Sequence, residues 1–192
     1  GETVKFFDPI PEAIKRGQGM IKKNLDFLVS KQKLTSDESF DILSRLDIVD
    51  SLNKLSSCDI VIEAIIENES VKKELFQNLE SIVSQKAILA TNTSSISITA
   101  LSNELQFPER LVGMHFFNPA PRMKLIEVIK GLRTSDTHGD YITNLVKRWG
   151  KAPVITKSTP GFIVNRVARP FYGEALRVLT ELGADHISLD TV

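Results

Sequence analysis

The sequence predicts an α/β fold with a mostly parallel β-sheet, followed by the start of an all-helical C-terminal domain. Short apolar runs alternate with longer amphipathic segments along the 192 residues, which is the pattern of strand–helix–strand units. The central runs are nearly continuous in apolar residues, as strands are when helices cover both faces of a sheet. Hydrophobic residues make up 42% and charged residues 25% of the chain, so its composition excludes a disordered or collagen-like protein.

The first predicted elements are one strand and two helices. Residues 4–7 form a short apolar run that ends at Asp8. Pro11 then begins a helix, because apolar residues recur at helical spacing as far as Leu28. A second helix is predicted over residues 37–43.

The middle of the chain repeats the alternation of strands and helices. Residues 59–65 form a near-continuous apolar run that predicts a buried strand, and the next strand stops at the polar cluster 92–95. A proline-rich bend around Pro119 and Pro121 separates two further strands. The elements predicted here are, in order, a strand over 59–65, a helix over 70–83, strands over 87–91, 111–115 and 125–129, a helix over 136–149 and a strand over 152–156.

A domain boundary is predicted near Ser158. Thr159 is expected to be the N-cap of a final helix with Pro160 at its first position, where a missing amide hydrogen costs nothing. Residues 1–158 then form one domain, and residues 159–192 form the beginning of a helical one. The second stretch is too short to fold alone and the sequence has no initiator methionine, so we expect the chain to be part of a longer protein.

Charge and composition exclude several classes of function. Lys and Arg total 24, as do Asp and Glu, so the net charge is zero and nothing predicts binding to nucleic acid or to an anionic membrane. No apolar stretch approaches the roughly 18 residues of a membrane span. The single cysteine, Cys58, can form neither an internal disulfide nor a paired zinc ligand, which fits a reducing compartment.

Polar residues at the ends of predicted strands are the candidates for ligand binding, because ligands bind at the carboxyl ends of parallel strands. Asp8 ends the first strand, where an acid accepts hydrogen bonds from the adenosine ribose of NAD and repels the 2′-phosphate of NADP. A simple turn at Asp8 and Pro9 is the competing interpretation, since no glycine-rich phosphate loop precedes it. We expect that loop and the first strand to lie upstream in a longer chain.

His115 lies at the end of a predicted strand, and Glu127 lies on the next strand after a short bend. A neighbouring strand can therefore bring the carboxylate back to the imidazole. Such a contact fixes the histidine tautomer, stabilises the imidazolium and leaves the other ring nitrogen as a general base. A structural histidine is the alternative, since a lone histidine between apolar residues usually serves packing.

Five motifs together resemble the L-3-hydroxyacyl-CoA dehydrogenase family in their order and spacing. The resemblance covers nearly the whole chain. It is closest to the bacterial branch that oxidises 3-hydroxyadipyl-CoA in phenylacetate catabolism, through residues 95–99 and 167–170. The motifs are Val-Ile-Glu-Ala at 61–64, Asn-Thr-Ser-Ser at 92–95, His-Phe-Phe-Asn-Pro at 115–119, Met-Lys-Leu-Ile-Glu-Val-Ile at 123–129 and Pro-Gly-Phe-Ile-Val-Asn-Arg at 160–166.

The resemblance implies a Rossmann-type fold, NAD as the cofactor and an acyl-CoA as the substrate. By this resemblance His115 removes the C3 hydroxyl proton while the nicotinamide receives the hydride, and Glu127 orients the imidazole. Ser94 and Asn165 match the positions that hydrogen-bond the reacting oxygen and the histidine. The resemblance places Asp8, Ala64, Glu67, Lys72, Asn92 and Asn118 on the cofactor side, and Asn24 and Lys31 against CoA.

The resemblance further implies a bacterial cytoplasmic enzyme that forms a homodimer through its helical domain. Two alternatives stay open: a dehydrogenase of free 3-hydroxy acids, in which a lysine usually serves as the base, and a catalytically silent relative. The joint presence of all four catalytic candidates argues against a silent relative, because packing needs none of them. Arg122 or Arg169 is a candidate partner for a terminal carboxylate on the substrate, but the favoured interpretation is that both are exposed to solvent or pair with nearby acids.

Overall fold

The computed structural model of this protein describes residues 1–181 and Ile187. Within these residues the chain forms seven strands and six α-helices, so the predicted α/β class is confirmed. They group into two compact units, residues 1–59 with 81–85 and residues 60–80 with the chain from residue 86. The strands are β1 (Val4–Phe6), β2 (Leu46–Ile48), β3 (Ile60–Glu63), β4 (Ile88–Thr91), β5 (Leu111–Phe116), β6 (Leu125–Lys130) and β7 (Ala152–Lys157). The helices are α1 (Pro11–Ser30), α2 (Ser36–Ser44), α3 (Glu69–Ile82), α4 (Ile98–Ser102), α5 (Asp136–Arg148) and α6 (Val164–Glu181).

The first unit contains a two-stranded sheet and two helices. β1 and β2 pair in parallel. Pro11 begins α1, as predicted, and the helix buries Leu25. α2 begins with a capping box, in which the Thr35 side chain accepts from the Glu38 amide and the Glu38 carboxylate accepts from the Thr35 amide.

The second unit is built on a five-stranded sheet in the order β3-β4-β5-β6-β7. β3, β4 and β5 are parallel, β6 runs antiparallel to β5, and β7 is parallel to β6. The antiparallel step arises because the chain returns directly through the proline-rich bend, without the crossover that a parallel pair requires. The end of β5 therefore lies beside the start of β6.

Helix α5 covers one face of this sheet and shares a buried cluster with it. Side chains alternate between the two faces along each strand. On the face opposite α5, a Cβ at Gly113 would lie 2.8 Å from the Ile129 Cβ and 3.0 Å from the Cδ1 of Ile98 in α4, so only glycine permits this packing. His115 and Glu127 project from the same face by alternation. The cluster on the α5 side consists of Ile88, Ala90, Val112, Met114, Ile126, Val128, Ile142, Leu145 and Val146.

The start of α6 differs from the sequence prediction. Thr159 is not its N-cap: residues 160–163 form a turn, and the helix begins at Val164. Gly161 and Phe162 in this turn have left-handed backbone angles, with φ of 74° and 49°. The physical reason is that the first amides of the helix donate hydrogen bonds to the side chain of Glu127 on β6 rather than to Thr159.

Two short elements, β2 and α4, are absent from the sequence prediction because three and five residues are too few to show a periodic pattern. The division into residues 1–158 and 159–192 stays a prediction. Among residues 1–181, no helix combines the length and apolar character needed to cross a membrane.

Candidate active site

Polar side chains gather at the carboxyl ends of β3, β4 and β5, the edge at which parallel sheets bind ligands. Glu67 follows β3, the turn 92–95 follows β4, and His115 is the penultimate residue of β5. All three lie in the second unit. The fold thus brings together candidates from distant parts of the sequence.

His115 and Glu127 are joined by a hydrogen bond. They lie directly opposite each other in the β5–β6 pair, and the distance from His115 Nδ1 to Glu127 Oε2 is 2.7 Å. Glu127 is 1% exposed and His115 is 7% exposed, so water weakens the contact little. Because an ionised carboxylate can only accept hydrogen bonds, His115 Nδ1 carries the hydrogen and donates the hydrogen bond to Glu127.

The second carboxylate oxygen of Glu127 caps helix α6. Oε1 accepts hydrogen bonds from the amides of Ile163 and Val164, each at 2.9 Å. A helix start leaves such amides without intrahelical partners, and the positive end of the helix dipole favours a carboxylate there. Both oxygens of this buried charge are therefore hydrogen-bonded, as burial of a charge requires.

Two phenylalanine rings flank the imidazole of His115. The ring centroid of Phe117 lies 4.5 Å away and that of Phe162 lies 5.9 Å away. Phe162 is buried and belongs to the left-handed turn before α6. Within residues 1–181 no hydrogen bond reaches His115 Nε2, so this nitrogen is the one available to a substrate hydroxyl.

The turn after β4 is held by Glu67. Its Oε1 accepts from the Thr93 hydroxyl at 2.5 Å and from the Ser94 amide at 3.0 Å, and the hydroxyls of Ser94 and Ser95 donate to it at 3.4 Å. Asn165 Nδ2 donates to the Ser94 carbonyl oxygen at 3.2 Å. Two predicted catalytic residues, Ser94 and Asn165, are thus in direct contact.

Lys72 forms a buried ion pair with Glu63 and also contacts Glu67. Lys72 Nζ lies 2.5 Å from Glu63 Oε1 and 3.3 Å from Glu67 Oε2, and the side chains of Lys72 and Glu63 are 1% and 0% exposed. Burial raises the pKa of Glu67, but hydrogen bonds from residues 93–94 and the positive charge of Lys72 outweigh burial and hold that pKa below its usual value. Glu63 was not among the residues predicted for the site, although an acid inside an apolar strand signals a buried pair.

The remaining candidates of the second unit lie along the same edge. Asn92 Oδ1 accepts from the Phe116 amide at 2.9 Å, which joins the ends of β4 and β5. Ala64, directly after β3, and Asn118, directly before the bend, are both exposed. Their positions leave room for a ligand at the sheet edge.

Three candidates lie in the first unit. Asp8 follows β1, and its Oδ1 accepts from the Ile10 amide at 2.8 Å, so the carboxylate also serves the local turn. Asn24 is exposed on α1. Lys31 is the C-cap residue of that helix. Its ammonium group lies 5.7 Å from the centroid of the Phe27 ring.

A family model described as 3-hydroxyacyl-CoA dehydrogenase, NAD binding domain, matches residues 1–159. The chain belongs to the 3-hydroxyacyl-CoA dehydrogenase family. This membership confirms the resemblance that the five motifs carry, and it confirms the Rossmann-type fold and NAD as the cofactor of the matched domain.

Relatives of the 3-hydroxyacyl-CoA dehydrogenase family cover almost the whole chain. The 3-hydroxyadipyl-CoA dehydrogenase of Escherichia coli (strain K12) is 47% identical over 94% of this chain, which spans 38% of that relative. A crystal structure of 3-hydroxybutyryl-CoA dehydrogenase from Escherichia coli K12 superposes with a TM-score of 0.93 at 47% identity, over 96% of this chain and 39% of that one. The (S)-3-hydroxybutyryl-CoA dehydrogenase of Ralstonia eutropha gives a TM-score of 0.94 at 40% identity, over 97% of this chain and 66% of that one.

The residues of this NAD-binding domain fit a dinucleotide at the described sheet edge. Directly after β3, Ile65 is 39% exposed and Ile66 is 68% exposed, which offers apolar surface to a planar ring. The Glu67 side chain is 40% exposed, and Asn118, which follows β5, is an exposed polar residue. The contact that each of these residues makes with NAD stays a prediction.

Proposed function

We propose that this chain is the NAD-binding and base-bearing part of an NAD-dependent L-3-hydroxyacyl-CoA dehydrogenase, which oxidises the C3 hydroxyl of its substrate to a ketone. The observation that carries the proposal is the buried hydrogen bond from His115 to Glu127 at the carboxyl edge of the sheet. A histidine held in one tautomer by a carboxylate is equipped to act as a general base.

Proton removal falls to His115 in this proposal. Its Nε2 takes the proton of the C3 hydroxyl as the carbon–oxygen double bond forms. When bound, NAD would supply the acceptor for the hydride that leaves C3. The imidazolium that results is stabilised by Glu127, whose own charge is supported by two amides of α6.

Ser94 and Asn165 are assigned to the reacting oxygen. Their mutual hydrogen bond fixes the start of α6 against the turn after β4, and Glu67 holds that turn through the Ser94 amide. A side chain held by several hydrogen bonds loses little freedom when substrate binds. We therefore place the substrate hydroxyl between this pair and His115.

The remaining assignments follow the matching family positions. The proposal places Asp8 on the adenosine ribose, Ala64, Glu67, Lys72, Asn92 and Asn118 on the remainder of the cofactor, and Asn24 and Lys31 on CoA. Lys72 is buried, so its part in cofactor binding runs through the charge it lends to Glu67.

We extend the proposal to the acyl group, the assembly and the compartment. The name of the 47% identical Escherichia coli relative and the motifs at 95–99 and 167–170 favour an ester with a terminal carboxylate, such as 3-hydroxyadipyl-CoA. We also propose that the full-length protein forms a homodimer through the helical domain and is located in the bacterial cytoplasm.

The direct test is an assay of the full-length protein with NAD and a panel of substrates. We expect NADH from (S)-3-hydroxybutyryl-CoA, (S)-3-hydroxyhexanoyl-CoA or (S)-3-hydroxyadipyl-CoA, and none from the (R)-esters. Free 3-hydroxybutyrate and NADP serve as the discriminating controls. No NADH from any ester would overturn the proposal, and turnover of the free acid alone would favour a dehydrogenase of free 3-hydroxy acids.

A further inference from the structure

A cavity of about 510 Å³ opens beside the turn that carries Ser94. It lies wholly in the second unit, and its walls include Ser95, the turn at residues 160–161, Asn165, Arg166 and Arg169. Because Asn165 also bonds the Ser94 carbonyl, the cavity adjoins the place assigned above to the reacting oxygen. A group attached to the substrate beyond that oxygen can therefore enter it.

The cavity is positively charged. Arg166 and Arg169 are three residues apart on α6 and share one face of the helix, and no acidic residue is among the cavity's lining residues. Among the described residues neither guanidinium has an ion pair, whereas Arg177 on the same helix pairs with Glu174 at 3.0 Å. Two cations without counterions facing one cavity favour an anionic occupant.

The arginines are held close to the site by the backbone. Arg166 donates its amide to the Gly161 carbonyl oxygen at 3.0 Å, and a Cβ at Gly161 would lie 3.0 Å from that same amide nitrogen. Arg169 lies four residues beyond Asn165, which is about 6 Å along a helix. The two guanidinium groups are thus within reach of a short acyl chain whose reacting oxygen lies at Asn165.

We propose that Ser95, Arg166 and Arg169 form a specificity subsite for a carboxylate at the far end of the acyl chain. The proposal rests on the dehydrogenase activity proposed above and adds the residues that select the substrate. A carboxylate matches the planar fork of a guanidinium and can accept two hydrogen bonds from it. The Ser95 hydroxyl, whose contact with Glu67 is long at 3.4 Å, can turn from it to donate a third. A phosphate of CoA shares this anionic chemistry, but the pantetheine arm separates it from the thioester and hence from Asn165.

The sequence suggested Arg122 or Arg169 as the partner of a terminal carboxylate, and the structure distinguishes between them. Arg169 lines the cavity, whereas Arg122 is exposed in the bend between β5 and β6 and does not line it. Arg166 was missed, although its spacing from Arg169 is that of neighbours on a helix surface.

The test compares kcat/KM for (S)-3-hydroxyadipyl-CoA and (S)-3-hydroxyhexanoyl-CoA in the full-length protein. We expect the parent to prefer the dicarboxylic ester by about 10- to 100-fold, the range of a charged bidentate contact. The double variant Arg166→Met/Arg169→Met should bring the ratio close to one, and Arg166→Lys/Arg169→Lys should give an intermediate ratio. Arg177→Met, on the same helix, is the matched control and should keep the ratio of the parent.

A second measurement needs no variant. The preference of the parent should fall as potassium chloride is added, because salt screens an exposed ion pair. A parent ratio near one, or a ratio unchanged in the double variant, would overturn the proposal, as would a ratio that falls in Arg122→Met instead. An equal loss for both esters would assign the arginines to a phosphate of CoA. If the parent produces NADH from neither ester, the proposed function itself fails.

Discussion

One carboxylate oxygen of Glu127 accepts a hydrogen bond from the imidazole of His115, and the other accepts hydrogen bonds from the first amides of helix α6. The two residues lie opposite each other in the antiparallel pair of β5 and β6. The same side chain thus orients the candidate base and caps the helix that carries Asn165. Orientation of the base and placement of α6 are therefore coupled.

Replacing Glu127 with glutamine should affect both functions. An amide group has only one oxygen: if that oxygen stays on the amides of α6, the NH₂ group faces Nδ1 and moves the ring proton to Nε2, which removes the base. The opposite orientation leaves the amides of α6 without an acceptor, at a cost of about 1–3 kcal/mol. We expect a lower free energy of unfolding in denaturant titrations and a lower kcat. Glu12→Gln, an exposed acid in the first turn of α1, is the control and should change both much less. Parent-like stability together with a parent-like kcat would contradict the double role of Glu127.

Gly113→Ala should destabilise the sheet, because the added Cβ would lie 2.8 Å from the Cβ of Ile129. Overpacking of this kind costs about 1–3 kcal/mol. Gly19→Ala is the matched control: Gly19 lies inside α1, and apart from its chain neighbours and the helix backbone around it no atom lies within 4 Å of the added carbon. This variant should gain about 0.5–1 kcal/mol. Thermal unfolding of both variants checks the pair, and a stabilised Gly113→Ala would refute the packing described for β5 and α4.

Lys72→Met should be strongly destabilising. It removes the partner of Glu63, whose side chain is fully buried, and an uncompensated buried charge costs about 3–5 kcal/mol. The double variant Glu63→Gln/Lys72→Met should recover part of the loss, because no buried charge is left unpaired. Lys22→Met breaks the exposed pair with Asp26 and should have little effect. Equal losses in the single and double variants would show that the ion pair is not the cause.

The contribution of Glu67 to stability should depend on pH. Its pKa in the folded protein is lowered, so the carboxylate stabilises the fold above the unfolded-state value of about 4.3 and loses that effect as the pH falls through the folded-state value. The side chain is 40% exposed, so water screens the effect to at most about 1 kcal/mol. The Tm difference between the parent and Glu67→Gln should be largest near neutral pH and shrink in acid. A difference that grows in acid would contradict the assignment.

Much of the candidate site was predictable from the sequence because its residues end apolar runs. The runs before His115 and around Glu127 predict neighbouring strands, and the short bend between them predicts a return of the chain. The hydrogen bond between these two side chains then requires only that the two strands pair in the correct register. In the structure, His115 on β5 lies directly opposite Glu127 on β6.

The features that escaped prediction depend on contacts remote in sequence. The N-cap of α6 was assigned to Thr159 by local chemistry, whereas the cap comes from Glu127, 36 residues away. The short strand β2 is defined by its partner β1 rather than by its own pattern. Lys72 on α3 is a different case, since its partner Glu63 lies only nine residues earlier on β3 and the acid inside that apolar strand signals a buried pair.

The most direct test of the central claim is kcat of His115→Gln in the full-length protein, measured with NAD and a saturating (S)-3-hydroxyacyl-CoA. Loss of a positioned base should lower kcat by about 10² to 10⁴, while calorimetry should show NAD and acyl-CoA binding close to that of the parent. A variant that turns over at the parent rate would contradict the assignment of His115 as the base.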